Sequence, residues 1–174
     1  MSVTPRPSSG ISTRFSSIVE DKPIYLEQHN CAALALVKLT DYDFWSISGF
    51  DWLVTVLHGI HLRIDALVQQ YGFFKVSCYG GEFMVVANVS KDADIHAPDS
   101  LLQFSSDVLR DLVGMKLPTG KPLHVQVALS TGPLWSAILG KTALKYTVHG
   151  CSEVMVRRLL QHCGRDGTVV ATKQ

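Results

Sequence analysis

Residues 57–86 read LHGIHLRIDALVQQYGFFKVSCYGGEFMVV, and this stretch decides the fold. Apolar side chains recur every three or four residues through its first half, as in an amphipathic helix, and Gly72 supplies a helix end. Two apolar segments of strand length follow, and the Gly80-Gly81 pair between them predicts a tight β-hairpin. The predicted elements are a helix over 50–68 and strands over 73–79 and 82–89.

Periodic segments continue on both sides of this stretch. An apolar run of strand length precedes it, and two more helical patterns and several strand patterns follow it. The predicted elements are a strand over 33–39, a helix over 101–113, strands over 123–129, 133–139 and 146–149, a helix over 152–163 and a strand over 168–172. Their order predicts an α+β fold of the ferredoxin-like βαββαβ type, with an antiparallel sheet and helices on one face.

The composition is that of one globular domain. The chain has 174 residues, of which 47% are hydrophobic and 18% are charged, and its formal net charge is +1. This balance gives no electrostatic reason to expect nucleic acid as a partner, and no apolar run reaches the ~18 residues of a membrane span. We expect residues 1–30 to be a flexible N-terminal segment and residues 31–174 to form the domain. Four cysteines without a CxxC pair indicate a disulfide-free, cytoplasmic (intracellular) protein.

Four short stretches, in a fixed order along the chain, carry a resemblance to a known family. They read LTDY (39–42), YGFFKVSCYGGE (71–82), VQVALSTGP with ILG after it (125–133 and 138–140), and YTVHG leading into a helix (146–150). Over residues 32–172 the chain resembles the catalytic-homology domain of the class III adenylate and guanylate cyclases. The resemblance implies a head-to-tail dimer with active sites at its interface, where a nucleoside triphosphate is cyclised.

The resemblance also implies two metal ions, Mg²⁺ or Mn²⁺, held by a pair of carboxylates that bridge both ions. Asp41 stands at the first carboxylate position, and the second position falls on Gly81, which has no side chain. Glu82 is adjacent but faces the opposite side of a regular strand, and Asp43 lies beyond the strand end. We therefore interpret Asp41 as a vestigial metal ligand and expect no cofactor, with Mg²⁺ or Mn²⁺ implied only if cyclase activity is retained.

Four further positions surround the nucleotide in the family. The asparagine that contacts ribose is Val154 here, and the arginine that contacts the transition-state phosphate is Arg158, a vestigial catalytic candidate. The two positions that select the base are Ser77 and Thr147, which makes them candidate nucleotide-binding residues. The family's last hairpin, which supplies a triphosphate-binding lysine, would lie beyond Gln174.

Two other groups of residues allow alternative interpretations. His58 and His61 lie one helical turn apart and could ligate a metal with a third ligand, but the same spacing is typical of an exposed polar helix face. Cys151 begins the last predicted helix, where a thiolate would be stabilised. We favour the polar face for the histidines and a packed thiol for Cys151.

The apolar run at 134–139 predicts an interface. Leu134, Trp135 and Ile138 lie in the arm that borders the dimer cleft in the family, and an uncovered apolar patch there would be costly. We expect the chain to pair through this arm with itself or with another cyclase-like domain. The alternative is that residues 24–26 fold back over the patch and keep the chain monomeric.

Three functions are compatible with these observations. The first is a non-catalytic cyclase-homology domain that serves dimerisation or docking in an intracellular signalling or scaffold protein. The second is an adenylate or guanylate cyclase half-domain that is active only with a metal-bearing partner. The third is a module that senses a nucleoside triphosphate in the old cleft. Loss of site residues with retention of the fold-defining glycines and apolar faces favours the first.

Overall fold

A computed structural model of the chain describes residue 23, residues 25–89 and residues 96–172. Its elements in chain order are β1 (Tyr25–Leu39), α1 (Tyr42–Ser48), α2 (Leu53–Tyr71), β2 (Phe74–Tyr79), β3 (Glu82–Ala87), α3 (Ala97–Val113), β4 (Val125–Leu139), β5 (Lys145–Gly150), α4 (Cys151–Cys163) and β6 (Thr168–Ala171). Among these described residues, no helix combines the length and the apolar character needed to cross a bilayer.

The six strands of the described residues form one sheet, in the order β2-β3-β1-β4-β5, with β6 paired to β4. Neighbours along that path are antiparallel, whereas β6 runs parallel to β4. The α+β prediction is confirmed, but the sheet is mixed rather than purely antiparallel. The reason is the route of α4, which carries the chain from the middle of β4, where Gly150 faces Leu134, to its beginning, where Thr168 faces Gln126.

Strand β1 is buried on both faces, and this places helices on both sides of the sheet. Its residues Ala33, Ala35, Val37 and Leu39 share one core with α2 and α3, and Ala32, Leu34 and Leu36 share a second core with α4. The fold therefore differs from the prediction that all helices lie on one face. An apolar run without alternation, as in 32–37, is typical of a strand that is covered on both faces.

Strand β4 is a single strand of 15 residues, although the sequence predicts two strands with a turn at 130–133. Its first half pairs with β1 residues 32–39 and its second half with β1 residues 25–29, across a register shift in β1. Gly132 has φ of 147°, and a Cβ there would lie 2.9 Å from Oγ of Ser152. The glycine therefore allows close approach of α4 rather than a turn, while continuous pairing with β1 keeps β4 extended.

Residues 25–30, which the prediction assigns to a flexible segment, belong to β1. Tyr25 pairs with Ile138 and Leu26 with Ala137, so this part of the chain does run beside the arm. The side chain of His29 is buried and lies 2.7 Å from Oγ of Ser136. Mixed polar and apolar residues hide this strand in the sequence; residues 1–22 and residue 24 lie outside the described residues.

The C-terminal end of α2 is tied to α3 by a buried polar contact. The hydroxyl of Tyr71 donates to the carboxylate of Asp107 at 2.6 Å, and Arg110 lies 2.8 Å from the same carboxylate. The Tyr71 hydrogen bond, with help from Arg110, holds the pKa of Asp107 below its usual value. A carboxyl group with a lowered pKa stabilises the fold above its unfolded pKa, and this stabilisation is lost as the pH falls through the folded pKa.

Replacing Tyr71 with phenylalanine should therefore lower the melting temperature at neutral pH. The difference from the parent should shrink as the pH falls below about 4, where the carboxyl group is protonated in the variant before it is in the parent, and should disappear below the lowered pKa of the parent. Thermal unfolding followed by circular dichroism between neutral and acid pH measures this. The matched control is Tyr79→Phe at an exposed tyrosine, and an equal deficit of Tyr71→Phe at all pH values would contradict the linkage to Asp107.

Candidate active-site cleft

The carboxylate of Asp41 is turned toward the start of β4. Its Oδ2 lies 2.9 Å from Nδ1 of His124, and the backbone N–H of Thr40 donates to the carbonyl of His124 at 3.1 Å. Asp41 and His124 line a cavity between α1 and the loop before β4, whereas Gly81 lines a different cavity at the β2–β3 turn. The structure thus pairs the one aligned carboxylate with a histidine, while Gly81 offers no second carboxylate.

The β2–β3 turn consists of Gly80 and Gly81, with φ of 58° and 72°. Glycine adopts these angles without the strain that a side chain would add, and the predicted hairpin is present. A Cβ built on Gly81 would lie 2.6 Å from Cβ and Cγ of Tyr42, far inside the separation at which carbon atoms pack. Tyr42 therefore fills the space in which a carboxylate at position 81 would begin.

These residues do not fit a pair of metal ions. The cavity at the turn, about 470 Å³ in volume, has Tyr42, Asp43 and Gly81 in its wall. In the described part of the chain, no three His, Cys, Asp or Glu side chains converge in a way that could hold a metal. Glu82 does not replace the missing ligand, because its Oε2 accepts a hydrogen bond from Nη1 of Arg157 at 2.8 Å on the α4 side of the sheet.

Helix α4 presents a different arginine from the one that the family uses. Arg157 lies 2.8 Å from Glu82 and 3.2 Å from Glu153, so it joins α4 to β3. Arg158 is exposed, and Val154 is 50% exposed beside it. The partly exposed ion pairs of Arg157 contribute at most about 1 kcal/mol each to the stability of the fold. The pair with Glu82 nevertheless engages the carboxylate of that residue.

The two base-selecting positions lie on strands that approach each other. Cα atoms of β2 and β5 come within 8 Å, and Ser77 on β2 and Thr147 on β5 are both half-buried. Oγ1 of Thr147 lies 3.0 Å from Nε2 of His149, and Nδ1 of His149 lies 3.5 Å from Glu153. The Thr147 hydroxyl thus already has a polar partner within its own chain.

The two histidines of α2 do not act together. His58 is exposed, whereas Nε2 of His61 lies 3.1 Å from Sγ of Cys78 and Nδ1 of His61 lies 3.3 Å from Nζ of Lys75. Lys75 can only donate, so Nδ1 accepts and the ring proton of a neutral His61 points at the sulfur. Burial, and then the charge of Lys75, lower the pKa of His61, and burial raises the pKa of the Cys78 thiol. No sequence signal predicts this pair, because its members lie 17 residues apart on different elements.

The structure corrects the interpretation of Cys151 as a packed thiol. Cys151 is exposed, as are the other three cysteines, and all four are free. The first residue of α4 faces outward, while the next residue, Ser152, is buried against Gly132.

The structure also corrects the prediction that Leu134 is an interface residue of the arm. Leu134 is 1% exposed and packs in the second core with Val156 and Leu160, so it offers no surface to a partner. Trp135 is 43% exposed and Ile138 is half-buried. Neighbouring strand residues point to opposite faces, which is why the apolar residues of 134–139 divide between the core and the surface.

Replacing Gly81 with alanine should destabilise the fold more than the same change at Gly80. Both variants place a side chain at a positive φ, but a Cβ on Gly80 meets nothing within 4 Å. We expect an additional loss of about 1–3 kcal/mol for Gly81→Ala, which is typical of overpacking. Urea unfolding measures both losses, and the difference should disappear when both glycine changes are made in a Tyr42→Gly background, which removes the Cβ as well as the ring. Equal losses for the two glycines would mean that Tyr42 does not occupy this space.

The chain matches a known protein family along nearly its whole length. The sequence profile of the adenylate and guanylate cyclase catalytic domain matches residues 6–174. The chain belongs to this family. The cyclase domain is 32% identical over 98 residues to an adenylate cyclase of Mycobacterium tuberculosis, which covers 56% of this chain and 22% of that protein. It is 25% identical over 111 residues to the human guanylate cyclase soluble subunit beta-2, covering 63% of this chain and 18% of that protein. The chain thus spans about a fifth of the length of these relatives.

Solved cyclase domains share the fold. The catalytic core of a rhodopsin-guanylyl cyclase with converted specificity, in complex with ATPαS, superposes with a TM-score of 0.77 at 17% identity, covering 86% of this chain and 80% of that one. A dimeric guanylyl cyclase domain of a fusion protein from the fungus Blastocladiella emersonii gives a TM-score of 0.75 at 16% identity, covering 84% and 82%. Mg²⁺ or Mn²⁺ is the usual cofactor of cyclase domains; of the two ligand positions that the resemblance implies, Asp41 keeps its carboxylate and Gly81 has none.

Proposed function

We propose that this chain is a non-catalytic nucleotide cyclase-homology domain that acts as a dimerisation or docking module in an intracellular signalling or scaffold protein. The observation that carries the proposal is the contact of Tyr42 with Gly81. A two-metal site needs two carboxylates, and this chain has neither a carboxylate at position 81 nor space for one beside Tyr42.

The rest of the cleft supports the same function. Asp41 is held by His124, and Glu82 is held by Arg157. Val154 carries no group that can donate a hydrogen bond to a ribose or a phosphate. Asp41, Glu82 and Thr147 are thus engaged inside the chain, and Val154 replaces a polar residue with an apolar one, while Ser77 and Arg158 remain polar.

The partner surface lies on the arm and on α4. Trp135 and Leu139 are 43% and 42% exposed, and Val154 and Met155 on α4 are 50% and 37% exposed. Residues 25–29 of β1 pair with the arm and satisfy backbone hydrogen bonds there. This pairing leaves the side chains of Trp135 and Leu139 uncovered. Apolar side chains exposed on one face of the arm, as Trp135 and Leu139 are, are typical of a surface that another protein covers. The guanylyl cyclase domain from Blastocladiella emersonii is solved both as a non-canonical dimer and as a monomer, and the proposed partner is a second copy of this chain or another cyclase-like domain.

Substitution of Trp135 by aspartate should abolish this association. Buried tryptophans are typical interface anchors, and losing one costs at least about 2 kcal/mol, or about thirtyfold in dissociation constant. Sedimentation across a concentration series measures the dimer, and circular dichroism checks that the variant is folded. The matched control is Val54→Asp, at an apolar residue on α2 that is 75% exposed.

Two results would overturn the self-association. A parent chain that stays monomeric up to about 100 μM would limit the association free energy to about 5 kcal/mol and exclude a functional homodimer. A dimer that survives Trp135→Asp but not Val54→Asp would place the interface on the other side of the molecule.

One observation favours the half-domain alternative. The guanidinium group of Arg158 is exposed and makes no hydrogen bond or ion pair with the described residues. It is therefore free to reach a nucleotide held by a partner. Mixing this chain with a metal-bearing cyclase domain that lacks its own ribose and phosphate contacts tests this. We expect no cyclic nucleotide; product that disappears with Arg158→Ala but not with Arg157→Ala would establish the alternative.

A further inference from the structure

A second cavity, about 420 Å³ in volume, lies between α1, the start of α2 and the loop before β4. One wall is aromatic: Phe50 stacks on Trp52 with ring centroids 4.8 Å apart and planes 15° from parallel, and Phe44 meets the edge of Phe50 at 6.1 Å. Trp45 supports Trp52 from inside the core at 5.9 Å. Phe44 is nevertheless 63% exposed, so the wall ends in an aromatic ring that no part of the described chain covers.

The opposite wall is a tight loop that holds a lysine. The N–H of Leu117 donates to the carbonyl of Lys121 at 2.9 Å, and the N–H of Gly120 donates to the carbonyl of Leu117 at 2.8 Å. A bridge between Lys116 and Pro122 closes the loop. Its backbone is thus fixed by its own hydrogen bonds, and Lys121 stands at the rim of the cavity.

Lys121 is the charged group of the cavity with which a ligand can pair. Asp41 also lines the cavity, and its Oδ2 lies 2.9 Å from Nδ1 of His124. Lys121 is exposed, and its ammonium group has no hydrogen-bond or ion-pair partner among the described residues. An anionic group that binds beside the aromatic wall can therefore pair with Lys121.

We propose that this cavity binds a small planar aromatic molecule that carries an anionic group. Its rings stack on the Phe44 and Phe50 wall, where aromatic contacts prefer offset-stacked or edge-on arrangements, and its carboxylate, sulfonate or phosphate pairs with Lys121. The volume falls in the range of about 300–1,000 Å³ that ligand cavities have. This binding does not depend on the proposed dimer, because the cavity is built from α1, α2 and the loop before β4 rather than from the arm and α4.

Two fluorescent probes that share their rings but differ in charge provide the test. Anilinonaphthalene sulfonate carries the anionic group, and N-phenylnaphthylamine has the same aromatic rings without it. We expect one sulfonate probe to bind per chain, with binding weakened about tenfold by Lys121→Glu, which corresponds to about 1.4 kcal/mol. The neutral probe should be insensitive to Lys121→Glu, and Phe44→Ala should weaken both probes. Phe44 is exposed, so this variant leaves the core intact.

Matched controls locate the probe. Lys116→Glu changes a lysine of the same loop that does not line the cavity, and it should leave both affinities unchanged. Trp135→Asp separates this cavity from the apolar surface of the arm and should also have no effect. No saturable binding, several probes per chain, equal loss of both probes with Lys121→Glu, or loss with Trp135→Asp would each overturn the proposal.

Discussion

Neither cyclic AMP nor cyclic GMP should form when the purified chain is incubated with ATP or GTP and Mg²⁺ or Mn²⁺. Gly81 removes one metal ligand, and Val154 removes the hydrogen bond to ribose that would orient the attacking hydroxyl in the transition state. Loss of a single such electrostatic contact typically costs about 100- to 1,000-fold in rate, so two together cost about 10⁴- to 10⁶-fold. A sensitive immunoassay for both products measures this, with an active guanylyl cyclase domain as the positive control. Turnover above a heat-killed sample that Asp41→Ala abolishes would contradict the expectation.

Restoring the carboxylate alone should not restore the activity. In Gly81→Asp the new Cβ would collide with Tyr42 at 2.6 Å, while Asp41 would still be paired with His124. The control is Gly80→Asp, which carries the same charge and a similar backbone strain without the collision. Cyclase activity in Gly81→Asp but not in Gly80→Asp would show that Tyr42 moves aside and that the second metal position is intact.

Truncation of Phe104 to alanine should cost about 3–5 kcal/mol of unfolding free energy, as is typical of a large aromatic residue in a core. Phe104 is 0% exposed on α3, and its ring meets Tyr71 at 5.7 Å and Phe73 at 5.5 Å. Neighbouring side chains could not easily fill the cavity that Phe104 leaves, because the surrounding rings are themselves held by α2 and the start of β2. Since native domains are stable by only about 5–15 kcal/mol, the loss would be a large share of the total.

Urea denaturation measures this loss. The matched control is Leu102→Ala on the same helix, where the side chain is 47% exposed, and its cost should stay near about 0.5 kcal/mol. A similar cost at both positions would mean that α3 packs with a different face against the sheet.

Local sequence patterns predict the elements of this fold well where a period or a turn dominates. Helix α2, the Gly80-Gly81 hairpin and the Cys151–Cys163 helix follow from side-chain periodicity and glycines that lie close together in the chain. Local sequence patterns fail where pairing between residues that are far apart in the chain determines the structure. The turn residues around Gly132 lie inside a strand because β1 pairs with β4 on both sides of them. The seven residues of α1 are too few to show a helical period.

The candidate site also has features that local sequence patterns predict and features that depend on distant contacts. The positions of Asp41 and Gly81 could be assigned from the order of short motifs in the chain. The contact between Tyr42 and Gly81, the pairing of Asp41 with His124 and the burial of Leu134 could not. Each of these brings together residues that are far apart in the sequence, and a local pattern carries no record of such a contact.

Counting protein-bound Mn²⁺ by electron paramagnetic resonance, in the presence of a nucleoside triphosphate analogue that cannot be cyclised, tests most directly whether the cleft can hold the metal pair. With Tyr42 against Gly81 and Asp41 bound to His124, we expect no Mn²⁺ bound beyond the amount found with Asp41→Ala. Two bound ions per chain that disappear with Asp41→Ala would contradict the proposal that this cyclase-homology domain is non-catalytic.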